Sequence, residues 1–237
     1  MRQELEDVMK LRIVGLALVA TFVAVACGSS NNGTNNGTAP TQLGPTTSFF
    51  VTSSRSTTGN LGGLRGADRL CQDLASAAGI GSKIWRAYLS VERDADNGNR
   101  PTDARSRIGS GPWFNAHGVL VAGNLTELHA RTGDSTVFID ETGRPISGQW
   151  SGSPSPVEHD IMTGSAADGT VLAGLTCGDW TSDSTTTLGQ VGHSDGFGSN
   201  RDTSGALSSW NSAHSNRNCA NTAPGGGAGR IYCFARN

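Results

Sequence analysis

The set of cysteines constrains the fold of this chain more than any other sequence feature. Cys71, Cys177, Cys219 and Cys233 are an even number, and Cys27 stands apart from them near the N-terminus. An even number of cysteines in an exported chain predicts disulfides. We therefore expect two disulfides, and the sequence alone does not choose among the three possible pairings. A zinc site is the alternative, but the chain contains no CxxC pair.

The N-terminus has the features of an export signal. In "LRIVGLALVATFVAVAC" a basic residue precedes an apolar stretch of about twelve residues that ends in small residues. A membrane-spanning helix needs roughly 20 apolar residues, and polar sequence follows Cys27 directly. Residues 1–26 are therefore predicted to be a signal peptide. Met9 is an alternative start to Met1, because the acidic residues between them suit a signal poorly.

The residues at the predicted cleavage point, Ala24-Val25-Ala26-Cys27, resemble the lipobox of bacterial lipoproteins. This resemblance implies cleavage before Cys27 and attachment of lipid to that cysteine, so the chain would meet a membrane through its N-terminus. Gly28 stands where an aspartate commonly retains lipoproteins at the inner membrane. By family analogy, we expect the outer membrane of a Gram-negative cell, with the domain outside the cytoplasm.

The remainder of the chain divides into a linker and one domain. Residues 27–47 are rich in Asn, Gly and Thr and have almost nothing to bury, so they are predicted to form a flexible tether reaching roughly 25 Å. Residues 48–237 show no second linker and are predicted to form a single domain. Removal of residues 1–26 takes away three basic and three acidic residues and leaves the net charge at −2. Such a balance argues against nucleic-acid binding.

The elements of this domain are predicted to be short. "GADRLCQDLASAAG" (66–79) has apolar residues at helical period and ends at a glycine, and a second, brief helix is predicted to begin at Asn124, with Glu127 in a capping box. "KIWRAYLS", "GVLVA", "STVFID" and "RIYCF" have the β-branched and aromatic content of strands. Stretches such as 181–209 lack any period. An α+β, loop-rich fold with one main helix follows.

Four segments resemble a known family. They are "GNLGGLRGADRLCQDLASAAGI", "WRAYLS", "CGDWTSDSTTTLGQ" and "CANTAPGGGAGRIYCF". They resemble endostatin, a collagen fragment with a variant of the C-type lectin fold, and are more similar still to bacterial endostatin-like lipoproteins. Some spirochaete members of that group are outer-membrane adhesins. The resemblance implies a C-type lectin-like domain of short antiparallel strands, with disulfides Cys71–Cys233 and Cys177–Cys219. Trp210 is predicted to pack beside these disulfides, because a large aromatic ring near a disulfide usually belongs to the core.

The chain also departs from these families. No histidine precedes His117, so endostatin's N-terminal zinc site has no counterpart, and its arginine-rich heparin surface is replaced by interleaved arginines and aspartates. Of the calcium triplets of true C-type lectins, only "WNS" at 210–212 comes near, and it lacks the aspartate ligand.

Histidines and acidic residues offer the one candidate metal constellation. These residues are His117, His159, His193 and His214, with Asp160 and Asp195. No pair has the i, i+4 spacing of a helical metal motif, so the sequence does not indicate that they converge. We therefore predict no cofactor, and neither calcium nor zinc is supported. One hypothesis stays open, in which "SDGFG" with His193 and the "WNSAH" loop together form a site.

A hydrolase is the alternative function. "GHSDG" (192–196) matches a Gly-x-Ser-x-Gly nucleophile elbow around Ser194, and Asp202 and His214 follow it. The glycine-rich sequence after Ser194 does not predict the helix that an elbow requires. The chain is therefore predicted not to be an enzyme.

The expected function is recognition of an extracellular protein or glycan, with a structural role in the envelope as a further alternative. Trp85 and Trp180 lie in predicted elements and are assigned to the core. Trp113 and Trp150 lie in loop-like stretches and are candidates for an exposed contact. The predicted ligand-binding residues are Trp113, Trp150, His193, Asp195, Asn211 and His214.

Overall fold

The fold is organised around one long C-terminal strand. The computed structural model describes residues 46–236, so the predicted signal peptide, Cys27 and almost the whole predicted tether lie outside the described residues. The helices are Gly63–Ala77 (α1) and Leu125–His129 (α2). The strands are Phe49–Val51 (β1), Trp85–Ala87 (β2), Val91–Asp94 (β3), Arg100–Thr102 (β4), Trp113–Phe114 (β5), Leu120–Ala122 (β6), Asp160–Met162 (β7), Gln190–His193 (β8), His214–Ser215 (β9) and Gly227–Ala235 (β10).

Strand β10 lies at the centre of the main sheet. It pairs antiparallel with β1 on one side, and on the other side with β2 antiparallel and with β7 parallel. The sheet continues from β7 to β8 and then to β9, again antiparallel. Two small hairpins, β3–β4 and β5–β6, lie apart from this sheet. The expected α+β class with short strands is confirmed, but the β7–β10 pair is parallel, because the chain returns to the sheet through a long excursion.

The two faces of β10 are both buried, as the alternation of its side chains requires. Ile231 and Cys233 face a cluster that contains α1, and Tyr232 and Phe234 face an aromatic cluster. Helix α1 packs Ala67, Cys71 and Ala75 towards the first cluster, which agrees with the predicted apolar stripe.

The disulfides are Cys71–Cys233 and Cys177–Cys219, the pairing that the resemblance implied. The first joins α1 to β10. Trp85 and Trp180 are buried in the same cluster as the disulfides. Trp210 is fully buried too, but on the opposite face of the sheet among Tyr88, Phe138, Tyr232 and Phe234. The prediction that Trp210 packs beside the disulfides is therefore wrong.

The brief helix predicted to begin at Asn124 is confirmed as α2, whereas one predicted strand is absent from the described structure. The Asn124 side chain caps α2 by accepting from the amide of Glu127 at 3.0 Å. In a capping box the Glu127 carboxylate would accept from the amide of Asn124, but here it accepts from the preceding amide, that of Gly123, at 2.8 Å. The predicted strand "STVFID" is instead a turn. Asp134 Oδ1 accepts from the amide of Thr136 at 2.9 Å, and the amides of Val137 and Phe138 donate to the Asp134 carbonyl, so the chain coils there.

Candidate functional site

Several side chains that were expected to contact a ligand are buried. Trp113 is fully buried, and its Nε1 donates to the carbonyl of Ile108 at 3.3 Å. The Asn211 amide is also buried and donates to Tyr88 Oη and to the carbonyl of Ala166, both at 3.0 Å. The prediction of an exposed contact at Trp113 is therefore wrong, and Asn211 serves the interior. Trp150 is half-buried, and its role in ligand binding stays a prediction.

The remaining predicted residues converge at one end of the main sheet. His193 ends β8 and lies opposite Asp160, which begins β7. His214 begins β9 and lies opposite Val191 of β8, so it occupies the position diagonal to His193 on the same face. His159 directly precedes Asp160. Sheet register therefore brings together four residues that sequence spacing did not connect.

Each of the three histidines brings its Nε2 close to the Asp160 carboxylate. Asp160 Oδ1 lies 3.3 Å from His193 Nε2, 3.4 Å from His159 Nε2 and 3.7 Å from His214 Nε2. His193 Nε2 and His214 Nε2 are 2.9 Å apart. The rings of His159 and His193 stack with centroids 4.4 Å apart. His159, Asp160 and His193 are buried, whereas the side chain of His214 is 38% exposed and marks the open side of the cluster.

Each histidine is also held through its other ring nitrogen. His159 Nδ1 lies 2.7 Å from Asp195 Oδ1, and His193 Nδ1 lies 2.7 Å from the carbonyl of Leu207. His214 Nδ1 lies 2.9 Å from the carbonyl of Ser215. Because all three partners are acceptors, we assign the hydrogen to Nδ1 in each ring, which leaves Nε2 facing the centre of the cluster.

Asp195 is itself fixed by the loops around it. Its carboxylate accepts from the amide of Gln149 at 2.6 Å and from the amide of Phe197 at 3.1 Å. Glycine at position 148 permits this approach, because a Cβ there would lie 2.1 Å from Asp195 Oδ2. Burial alone raises the pKa of Asp195, but the hydrogen bond and charge of His159 and these amides outweigh it, so the pKa falls below its usual range.

His193 shows the opposite balance. Burial lowers the pKa of the His193 imidazole, but the neighbouring Asp160 carboxylate and the Leu207 carbonyl raise it by more, so its pKa lies above the ordinary value. A cavity of about 210 Å³ lies beside the cluster. Chemically, a pocket of three imidazole nitrogens and one carboxylate can hold a cation, and His159, Asp160, His193 and His214 are the residues that could hold it.

The local sequence explains how the strands approach so closely. Gly192 in β8 lies against the backbone of residues 210–211. Any side chain at position 192 would prevent this approach, because its Cβ would lie 1.9 Å from the Trp210 carbonyl oxygen. His117 does not join the cluster. It lies near Gly143 and lines a separate pocket with Trp150. Gly192, directly before His193, is a sequence signal of this close approach, but no glycine adjoins His159 or His214, so the sequence does not indicate that all four residues converge.

Ser194, the nucleophile of the alternative hydrolase, is buried, and its Oγ has no hydrogen-bond partner among residues 46–236. The chain after it forms a turn and irregular loop instead of a helix. The strand-to-helix geometry that exposes an elbow nucleophile is therefore not formed at this position.

A second feature is an open groove of about 610 Å³ between α1 and the β3–β4 hairpin. Asp68 on α1 anchors its floor by pairing with Arg86 and Arg107, both at 2.8 Å. Ile84 at its edge is 59% exposed. The charged residues that line the groove are Arg65, Asp68, Arg69, Asp73, Arg86, Asp94, Asp96, Arg107 and Arg236.

Part of this charge is unpaired. Arg65 is paired with Asp96, but the exposed side chains of Arg69, Asp73 and Arg236 form no ion pair within the described part of the chain. The groove therefore presents both signs of charge to solvent.

The chain matches no protein-family model and no curated protein. Within residues 46–236, no helix combines the length and apolar character that crossing a membrane requires.

Proposed function

We propose that this chain is an exported recognition domain that binds an extracellular protein without catalysing a reaction. The observation that carries the proposal is the open, mixed-charge groove beside α1, with an exposed isoleucine at its edge. Arginine is enriched in protein interfaces, where it pairs with carboxylates and covers apolar surface. Aspartates in the same groove disfavour a polyanionic glycan, so a protein is the better match.

The finer fold assignment belongs to the same proposal. The α1–β10 disulfide, the inner Cys177–Cys219 disulfide and the central C-terminal strand support an endostatin-like, C-type lectin-like domain. The lipobox-like sequence before Cys27 supports lipid attachment, which would hold the domain at the outer membrane through the tether. Recognition on the cell exterior, as in adhesion, is the function that combines these features.

A binding array tests the proposed function. The domain of residues 46–237, with both disulfides formed, is applied to immobilised matrix proteins and glycans. Binding to a protein is expected, and the double variant Arg69→Glu, Arg236→Glu is expected to weaken it at least about tenfold, because interface charge reversal costs on the order of 1.4 kcal/mol or more.

Arg144→Glu is the matched control, because Arg144 is exposed and does not line the groove. Its binding is expected to equal that of the unmodified domain. Equal affinities for the groove variant and the control would overturn the assignment of the groove. Binding to glycans alone would overturn the choice of a protein ligand.

A further inference from the structure

The buried carboxylate of Asp160 lacks the partners that a buried charge requires. Its side chain is 4% exposed, yet Oδ1 has no hydrogen-bond partner among the described residues. The three imidazole nitrogens around it lie at 3.3, 3.4 and 3.7 Å, beyond the usual 2.7–3.2 Å of an N–H···O hydrogen bond. An unsatisfied buried polar group of this kind calls for an explanation, and an ion is one of the recognised explanations.

Protonation of the histidines does not supply the missing partner. The Nδ1 atoms of His159, His193 and His214 all face acceptors, so each ring carries its first hydrogen there. One added proton between His193 Nε2 and His214 Nε2, which are 2.9 Å apart, would satisfy that pair. It would still leave Asp160 Oδ1 without a donor at hydrogen-bonding distance. A cation at the centre satisfies all four atoms together.

We infer that His159, Asp160, His193 and His214 form a zinc site, with three Nε2 atoms and Asp160 Oδ1 as its ligands. Zn²⁺ bonds of about 2.0–2.1 Å in a tetrahedron separate the ligand atoms by about 3.3 Å. Four of the six ligand pairs have observed separations of 2.9, 3.3, 3.4 and 3.7 Å, which bracket that value. The ligand atoms of His159, Asp160 and His193 all lie within 4.8 Å of one another, and His214 adjoins two of these residues. Three imidazoles are the wrong donor set for calcium, which takes six to eight oxygens.

The surroundings of the cluster match those of a metal site. A metal-bound histidine normally donates its second ring nitrogen to a carboxylate or a backbone carbonyl, which orients the ring and raises its basicity. His159 has Asp195 in this role, His193 has the Leu207 carbonyl, and His214 has the Ser215 carbonyl. Asp195 is therefore a positioning residue, which acts on the metal through His159.

The arrangement also assigns a role to the metal. Four protein ligands complete a tetrahedron, which is the closed coordination of a structural zinc site. Three of the ligands come from the neighbouring strands β7, β8 and β9, and His159 directly precedes β7. Zinc would therefore fasten the outer edge of the sheet and the loop of residues 194–213 between β8 and β9. This inference is independent of the proposed recognition function, because the groove lies on other elements.

Metal titration tests the site. The oxidised protein, purified without a histidine tag and stripped with chelator, is titrated with Zn²⁺ against a chromophoric competitor, and with Co²⁺ as a spectroscopic probe. One zinc ion per chain and a tetrahedral cobalt spectrum are expected. Asp160→Asn and His214→Ala are expected to abolish stoichiometric binding, and Asp195→Asn to weaken it by roughly 10- to 100-fold.

His117→Ala and His129→Ala are the controls, because both histidines lie outside the cluster. His214 is partly exposed, so its replacement leaves the interior packed and keeps the test valid if a buried variant fails to fold. Absence of bound zinc, an octahedral cobalt spectrum, or equal loss in the controls would overturn the inference. Loss of zinc with unchanged ligand binding would leave the proposed function standing.

Discussion

At the residue scale, the most enclosed arginine–carboxylate pair among the described residues joins Glu158, which precedes the cluster, to Arg230 of β10. Arg230 Nε lies 3.2 Å from Glu158 Oε2, and both side chains are less than 10% exposed. Arg55 approaches the other carboxylate oxygen at 2.7 Å, and Arg230 also donates to the Ser53 carbonyl at 2.7 Å. Removal of one partner from such a pair leaves a buried charge uncompensated.

Glu158→Gln is expected to lower the free energy of unfolding by about 3 kcal/mol at pH 7. Burial alone raises the pKa of Glu158, but hydrogen bonds and charge from Arg230 and Arg55 pull it below the ordinary value. The stabilisation is therefore complete above the ordinary glutamate pKa, about 4.3, and is lost as the pH falls through the lower pKa of the folded state. Urea unfolding of the unmodified protein and of Glu158→Gln, from pH 7 to pH 3, measures this loss of stability.

The difference in free energy of unfolding between the unmodified protein and Glu158→Gln is expected to become smaller as the pH falls below about 4, because protonated Glu158 is uncharged, as glutamine is. Asp73→Asn serves as the control, because Asp73 is exposed and forms no ion pair with another residue of the range 46–236, and it should change stability by less than about 0.5 kcal/mol. A gap that stays constant over the whole pH range would show that the ion pair does not stabilise the fold.

Residue types alone indicate part of the candidate site. The sequence singles out His159, Asp160, His193 and His214 as possible ligands, but it predicts no metal site, because metal motifs are recognised by short spacing on one element. Here Asp160, His193 and His214 lie on three strands, and two registers bring them together, that of β7 with β8 and that of β8 with β9. Register depends on the packing of the whole sheet, which the sequence does not reveal.

At the element scale, the segment Cys177–Trp180 is the most strained part of the backbone. Its four residues have φ values of 47°, 58°, 57° and 63°, which form a left-handed turn, although only Gly178 is a glycine. The left-handed conformation costs roughly 1–2 kcal/mol for each other residue. The Cys177–Cys219 disulfide holds one end of the turn, and Trp180 Nε1 donates to the Ser90 carbonyl at 2.8 Å at the other.

Asp179 is expected to be the side chain on which this turn depends. Its Oδ1 accepts from the amide of Glu92 at 2.6 Å, and aspartate and asparagine tolerate the left-handed region better than alanine does. Asp179→Ala should lower the free energy of unfolding by about 2 kcal/mol. Asp179→Asn should lower it by less, because it keeps an acceptor and the backbone preference. Urea unfolding with intact disulfides compares them, and equal stability of all three proteins would refute this account.

Elements with strong periodicity were predictable, and those set by local hydrogen bonds were not. Helix α1 follows its apolar stripe closely, and the β-branched and aromatic runs at 85–87 and 227–235 are strands. The run at 135–140 has equal strand propensity, but Asp134 turns it into a coil. The left-handed turn carries one glycine as its only sequence signal, and tertiary contacts enforce the rest.

At the scale of the whole molecule, a small set of cross-links holds a loop-rich domain together. Cys71–Cys233 closes a separation of 162 residues and Cys177–Cys219 one of 42. In the chain-entropy model, the longer closure stabilises the fold by about 5 kcal/mol and the shorter one by about 4 kcal/mol. The Cys177–Cys219 disulfide lies beside Gly189 and Asn216, at one end of β8 and β9. The proposed zinc ion would fasten the other end of these two strands. The sequence predicts two disulfides, with the pairing that the resemblance implies, whereas the proposed metal cross-link follows only from the register of the sheet.

Cys27 is expected to determine where the whole molecule resides. Cys27→Ala should move the protein from the membrane fraction to the soluble fraction and abolish incorporation of labelled palmitate, because the lipid supplies the membrane affinity. Cell fractionation with immunoblotting compares the location of the Cys27→Ala protein with that of the unmodified protein. Gly28→Asp is the informative companion, since it keeps the lipid and is expected to shift the protein to the inner membrane. If the Cys27→Ala protein incorporated no palmitate but stayed in the membrane fraction, this result would contradict the prediction that lipid on Cys27 anchors the protein.

Anomalous X-ray diffraction from crystals of the oxidised, zinc-loaded domain, measured on both sides of the zinc absorption edge, tests the central claim most directly. The account predicts one zinc peak at about 2.0–2.2 Å from Asp160 Oδ1 and from the Nε2 atoms of His159, His193 and His214. The contradicting result is density without a zinc peak at this position, with Asp160 Oδ1 hydrogen-bonded to a protonated histidine or to a water molecule.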